Sequence, residues 1–121
     1  MSRSWWLFLG DMIASAESVL SEVDGLTREE FDADERVRKI ILLDLLTLGE
    51  AAKHIPEEVR ARYPEITWRK IVGLRDVIAH SYYRLDEDVI WNIATTMMGN
   101  LRSVLVQIAG EEHPEELAGG G

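Results

Sequence analysis

The sequence predicts an all-α fold, an antiparallel bundle of four long helices plus one or two short ones, and three observations predict it. Apolar residues recur at steps of three and four along most of the chain. The strict apolar/polar alternation of a half-buried strand is absent. Capping residues stand just ahead of the periodic runs, where helix starts need them. With 121 residues and 46% hydrophobic side chains, the chain is long enough for one core and too short for two. The expected organisation is a single helical domain over 1–109 and a flexible, acidic and glycine-rich tail over 110–121.

The elements follow in order. Trp5, Leu9, Met12, Ile13, Ala16, Val19, Leu20 and Val23 form one stripe on an amphipathic helix over roughly 3–23. Gly25 can stop it. Thr27-Arg28-Glu29-Glu30 has capping-box spacing and should open a short helical turn. Asp34 is a natural N-cap for a helix over about 35–54. Within it, Ile40 to Leu46 is apolar nearly all round, which suits a central helix or one covered by a partner chain. Pro56 fits the first turn of a short helix over 56–63, which Pro64 ends. Thr67 caps a helix reaching about Tyr82. Asp86 caps the last one, about 87–109, with a stripe of Ile90, Ile93, Ala94, Met97, Leu101, Val104, Leu105 and Ile108. The tail from Gly110, with Pro114 and three final glycines, should fray. The Ile40–Leu46 segment together with Trp5, Trp6 and Phe8 is more apolar surface than such a bundle can cover, so self-association is expected.

Composition excludes several chemistries. There is no cysteine, hence no disulfide, thiolate-zinc site or thiol nucleophile. No apolar run is long enough to span a membrane, and the apolar start breaks at Gly10-Asp11 without a cleavage site. A cytoplasmic protein is expected. His54, His80 and His113 lack paired spacing, so a metal site has little support and no cofactor is expected. The net charge of −9 opposes indiscriminate nucleic-acid binding. Charge is uneven, however: residues 36–84 carry ten bases against six acids, while both flanks are strongly acidic. Its clusters (Arg36/Arg38/Lys39, Arg60/Arg62, Arg69/Lys70) read first as solvated helix faces. The sharper reading is a basic cleft, if they meet in space.

One segment concentrates chemistry: Arg75-Asp76-Val77-Ile78-Ala79-His80-Ser81-Tyr82. Asp76 and His80 are four apart and share a helix face. Asp76 can fix the imidazole tautomer and leave the other nitrogen free to take a proton. Arg75 and His80 are five apart, about 140° around a regular helix. They converge only through the long Arg side chain, a break in the helix, or a second chain. An Arg upstream of a His means little among ten arginines; the added Tyr two residues later makes the pattern far more specific.

Arg75-x4-His80-x-Tyr82 resembles the signature of the HepT-like branch of the HEPN-domain toxins. The resemblance extends to Leu48–Lys53, Ile55-Pro56, Tyr63–Ile66, Trp68–Asp76 and Asp86–Trp91, in order, and covers roughly residues 3–109. It implies a HEPN-like bundle that dimerises, or forms a higher oligomer of dimers, with a ribonuclease site at the dimer cleft. It also implies a partner, a nucleotidyltransferase antitoxin of the MntA type, which attaches AMP to the motif tyrosine, here Tyr82. The residue after the motif arginine is commonly Asn; this chain has Asp76, whose carboxylate should weaken phosphate binding.

The residues suit a metal-independent endoribonuclease acting on RNA. The ribose 2′-hydroxyl is its own nucleophile and needs a base, for which His80 is suited. Arg75 can stabilise charge on the phosphorane, with Asp76 completing the catalytic set. Tyr82 and Ser81 would position the substrate. Lys53, Arg69 and Lys70 are lesser candidates for an RNA groove. A two-fold dimer would set two Arg/His pairs around one groove. Two other readings stay open: a non-catalytic helical subunit that presents Tyr82 to a nucleotidyltransferase, and a plain helical dimer in which His80 is structural.

Overall fold

A computed structural model describes residues 4–81 and 86–112, the side chains of 79–81 excepted. The described chain is all-helical. Helix α1 is Trp5–Val23, α2 Arg28–Ala33, α3 Glu35–Ala52, α4 Glu57–Arg62 and α5 Trp68–Ser81. Helix α6 (Glu87–Asn92) runs through a π-helical segment, Ile93–Met97, into α7 (Met98–Glu112). With α6 and α7 read as one rod, four long helices and two short ones pack as a bundle. Helix α1 lies against α3 and α7, and α3 against α5.

Local chemistry sets the boundaries. Gly25, with φ of +72°, turns the chain after α1, as only glycine does freely. Thr27 and Glu30 form a reciprocal capping box: the Glu30 N–H donates to the Thr27 hydroxyl (3.1 Å) and the Thr27 N–H to the Glu30 carboxylate (2.9 Å). Asp34 caps α3 by accepting from the Val37 N–H at 3.1 Å. Pro56 stands one position earlier than expected, at the N-cap of α4 with extended backbone. Asp86 caps α6 through the Asp88 N–H.

The core is one cluster drawn from every helix, including Leu9, Met12, Phe31, Ile41, Leu45, Leu48, Ile78, Met98 and Leu105. Phe31 anchors the short α2, fully buried with its ring 5.0 Å from that of Trp91. Arg28 ties α2 to α6 through Asp32 and Asp88, and Arg38 donates to the Phe31 and Asp32 carbonyls.

The π segment departs from the expected uninterrupted last helix. It carries Met98 rather than Met97 into full burial, because a π turn holds an extra residue. The Thr95 and Thr96 hydroxyls donate to the carbonyls of Trp91 and Asn92, one turn back. The last helix also runs past the expected end near 109. Tyr63 donates to the carboxylates of Glu111 and Glu112, and Arg62 forks onto Glu112. Those two acids oppose the helix dipole, and these partners hold them. Residues 113–121 lie outside the described residues.

Trp5 and Phe8 are partly covered by the core, so the apolar surface is smaller than the sequence suggested. Leu7, Leu43, Val77 and Val89 are the large apolar side chains left exposed among the described residues, Leu43 most of all at 64%. Among the described residues, no helix is long and apolar enough to cross a membrane.

The tightest contact is at Gly49. A Cβ there would lie 2.9 Å from the Arg75 backbone nitrogen and 2.9 Å from the Ile71 carbonyl oxygen. Gly73, on α5, has open space where a Cβ would go. Gly49→Ala should therefore lose about 1–3 kcal/mol, the usual cost of overpacking. Gly73→Ala should gain about 0.5–1 kcal/mol from reduced backbone entropy. Urea unfolding of the two variants checks the opposite signs.

Asp44, inside the apolar run of α3, accepts from the Ser18 hydroxyl at 2.5 Å. Burial pushes its carboxyl above the ordinary carboxylate value, and the Ser18 bond only partly counters this. A carboxyl harder to ionise in the folded chain costs stability once ionised. The penalty is absent below about pH 4, the unfolded value, and grows as pH rises beyond it. Asp44→Asn keeps an acceptor for Ser18. Its melting temperature should exceed that of the wild type at neutral pH, with the difference vanishing in acid.

Candidate functional site

The α3–α5 contact builds the site. Because Gly49 brings the two backbones together, the residue after it, Glu50, reaches across to Arg75. The Glu50 carboxylate lies 3.8 Å from Arg75 Nε and 3.3 Å from Lys53 Nζ. On its other side the Arg75 guanidinium donates to Asp76 Oδ1 at 3.2 Å. Arg75 is about half exposed, so its charge faces solvent between two carboxylates. A cleft of about 390 Å3 opens beside it, lined by Phe8, Asp11, Leu46, Thr47, Glu50, Ala51 and Arg75. Nearby, the rings of Phe8 and His54 stack at 4.0 Å, 13° from parallel.

Helix α5 is regular and unbroken through Ser81. A helix break is therefore not what brings Arg75 toward His80; the 140° separation around the axis stands. The Arg75 side chain nonetheless wraps toward Asp76, which precedes position 80 by one turn. The side chains of His80 and Ser81 and all of Tyr82 lie outside the described residues.

The three bases named as groove candidates have different surroundings. Lys53 joins the Arg75 network through Glu50. Arg69 lines a different groove with Arg60. Lys70 is exposed on α5, about 140° around from Arg75. Sequence reasoning missed Glu50, Phe8, Asp11 and Thr47 as cleft residues. The available signal for Glu50 was the glycine before it, which marks a close helix approach, and the lysine three residues after it. Among the described residues, no group of three His, Cys, Asp or Glu side chains is arranged to hold a metal ion.

Comparison with known proteins adds family membership. Residues 12–108 match the family model described as "Ribonuclease HepT-like". The chain belongs to the HepT-like ribonuclease family. Among curated relatives, "Probable ribonuclease HepT" of Thermococcus cleftensis is 31% identical over 91 residues, covering 75% of this chain and 83% of the relative. "Putative RNase MJ0127" of Methanocaldococcus jannaschii is 28% identical over 109 residues, covering 87% and 90%. No solved structure matches the chain. Membership of the HepT-like ribonuclease family implies an RNA substrate.

Proposed function

We propose that this HepT-like chain is a metal-independent endoribonuclease toxin whose site forms at a dimer cleft. The observation that carries the reading is the exposed Arg75 guanidinium, pinned at the α3–α5 crossing and laid against Asp76 one turn ahead of His80. The 2′-hydroxyl gives its proton to His80 as its oxygen attacks phosphorus. The bond to the 5′-oxygen breaks, and that oxygen takes a proton from the imidazolium of His80 of the partner subunit. Charge on the phosphorane is met by Arg75, whose planar fork matches two phosphate oxygens. Products are a 2′,3′-cyclic phosphate and a 5′-hydroxyl. Tyr82 and Ser81 position the substrate.

A dimer supplies what one chain lacks. The unbroken α5 keeps Arg75 and His80 on different sides of its axis, so a second copy brings the complementary set. Leu43 on α3 and Val77 on α5 are exposed on the two helices that form the site, as an interface requires. The dimer is paired with an MntA-type nucleotidyltransferase that adds AMP to Tyr82 and so blocks the cleft with a bulky anion.

One observation favours a second reading, a non-catalytic subunit that presents Tyr82. Glu50 and Asp76 occupy the guanidinium that a substrate phosphate needs. The two readings separate on turnover. The first expects His80→Ala and Arg75→Ala to fold, yet lose RNA cleavage and growth inhibition, with chelator having no effect and cyclic-phosphate ends on the products. Intact RNA with the wild-type chain would refute it.

Asp76→Asn gives a graded check. Removing the carboxylate frees Arg75 for phosphate, so KM for RNA should fall several-fold; an unchanged KM would mean that Asp76 does not compete. A fall in kcat would assign Asp76 to orienting His80.

A further inference from the structure

We infer that the groove at the start of α5 is a second RNA-backbone site, formed by Arg60 and Arg69 and feeding the strand along α5 toward His80. The inference rests on the ribonuclease reading and names how that site holds a chain longer than the scissile step. Among the described residues, five of the nine cations of residues 36–84 pair with carboxylates. Arg38 pairs with Glu87, Lys39 with Glu35, Lys53 with Glu50, Arg62 with Glu112, and Arg75 with Glu50 and Asp76. Among the described residues Arg36, Arg60, Arg69 and Lys70 have no carboxylate partner, and Arg60 and Arg69 together line one groove of about 540 Å3. The Arg60 Nε is shielded from solvent and donates to nothing, an unusual state for a guanidinium nitrogen. Its walls include Pro64 and Trp68, apolar surface against which a ribose or base can lie. Glu57 is the single carboxylate residue in that lining. The Arg75 cleft, by contrast, is lined by Asp11 and Glu50 and abuts Asp76.

Helix geometry links the groove to the motif. Positions 69 and 80 are eleven apart on an unbroken helix, about three turns, which puts them on one stripe roughly 16 Å apart. Gly73 and position 76 fall near the same stripe. Gly73 has no side chain and open space above it, leaving that stretch smooth. The Asp76 carboxylate on the track is offset by the Arg75 guanidinium at 3.2 Å. A single strand can therefore place one phosphate between Arg60 and Arg69 and another, several nucleotides along, at His80. The ligand is a single-stranded RNA backbone, bound by charge without base readout.

The test uses the full-length chain carrying His80→Ala, so that RNA is bound and not cut. Fluorescence anisotropy with a labelled twelve-nucleotide RNA is measured across a salt series, with and without Arg60→Gln/Arg69→Gln. The double variant should weaken binding about tenfold and flatten the slope of log K against log salt by about 1.4, the loss of two phosphate contacts. Arg69→Gln alone, at an exposed position, should flatten it by about half as much, which guards against misfolding of the double variant. A dinucleotide should bind both proteins equally. Arg102→Gln, which removes the same charge from a residue paired with Glu17, should leave the slope unchanged. Equal affinity and slope for the twelve-nucleotide RNA in wild-type and Arg69→Gln backgrounds would overturn the groove. Cleavage by the chain with His80 intact, measured in parallel, shows whether the ribonuclease reading survives that result.

Discussion

The approach of two backbones at Gly49 sets the rest. Helices α3 and α5 come close enough there that a single methyl group would meet a carbonyl oxygen and an amide nitrogen at 2.9 Å. That closeness is what lets the short reach of Glu50 span to Arg75, and what keeps Arg75 at the rim of the cleft and out of the core. Moving α5 outward by an ångström would lengthen the Glu50–Arg75 contact, already 3.8 Å, beyond the range of an ion pair. Helix-to-helix distance is thus translated directly into the placement of one guanidinium.

The electrostatics of the molecule then sort its cations. This acidic chain, with net charge −9, pairs several of its basic side chains with carboxylates and leaves others open. Arg28 and Arg38 hold α2 against the start of α6, and Arg62 holds the end of α7. These pairs lie at the surface or are partly covered, and their value lies more in fixing geometry than in stabilising the fold. Arg75 stands between the two regimes, engaged by carboxylates yet open to solvent. An anion competing for that guanidinium would have to displace those carboxylates, which favours a bidentate contact with the planar fork over casual anion binding.

Much of the fold was legible in the sequence because its signals are local. Caps at Thr27, Asp34 and Asp86 depend on side chains reaching backbone within a few residues, and each acts as the spacing implies. The groupings of charges were not legible. Arg60 and Arg62 are two apart on a short helix and so face different ways; one enters the α5 groove and the other binds Glu112. Nothing within a few residues of either encodes that division, which follows from where α7 ends. Around the α3–α5 cleft, the sequence singled out Arg75 and Asp76 but not Glu50, whose contact with Arg75 exists only once α3 and α5 have met.

The π segment at Ile93–Met97 carries a consequence for how this rod can vary in length. Its wider turn stores one surplus residue between two stretches that are each docked independently, α6 beneath Phe31 and α7 along α1. Excising a single amino acid there would tighten the turn to ordinary α geometry while both flanks stayed seated. The same excision elsewhere in the rod would spin one flank by about 100° and turn its apolar stripe away from its neighbours. Single-residue gaps among descendants of this sequence should therefore gather at this one turn.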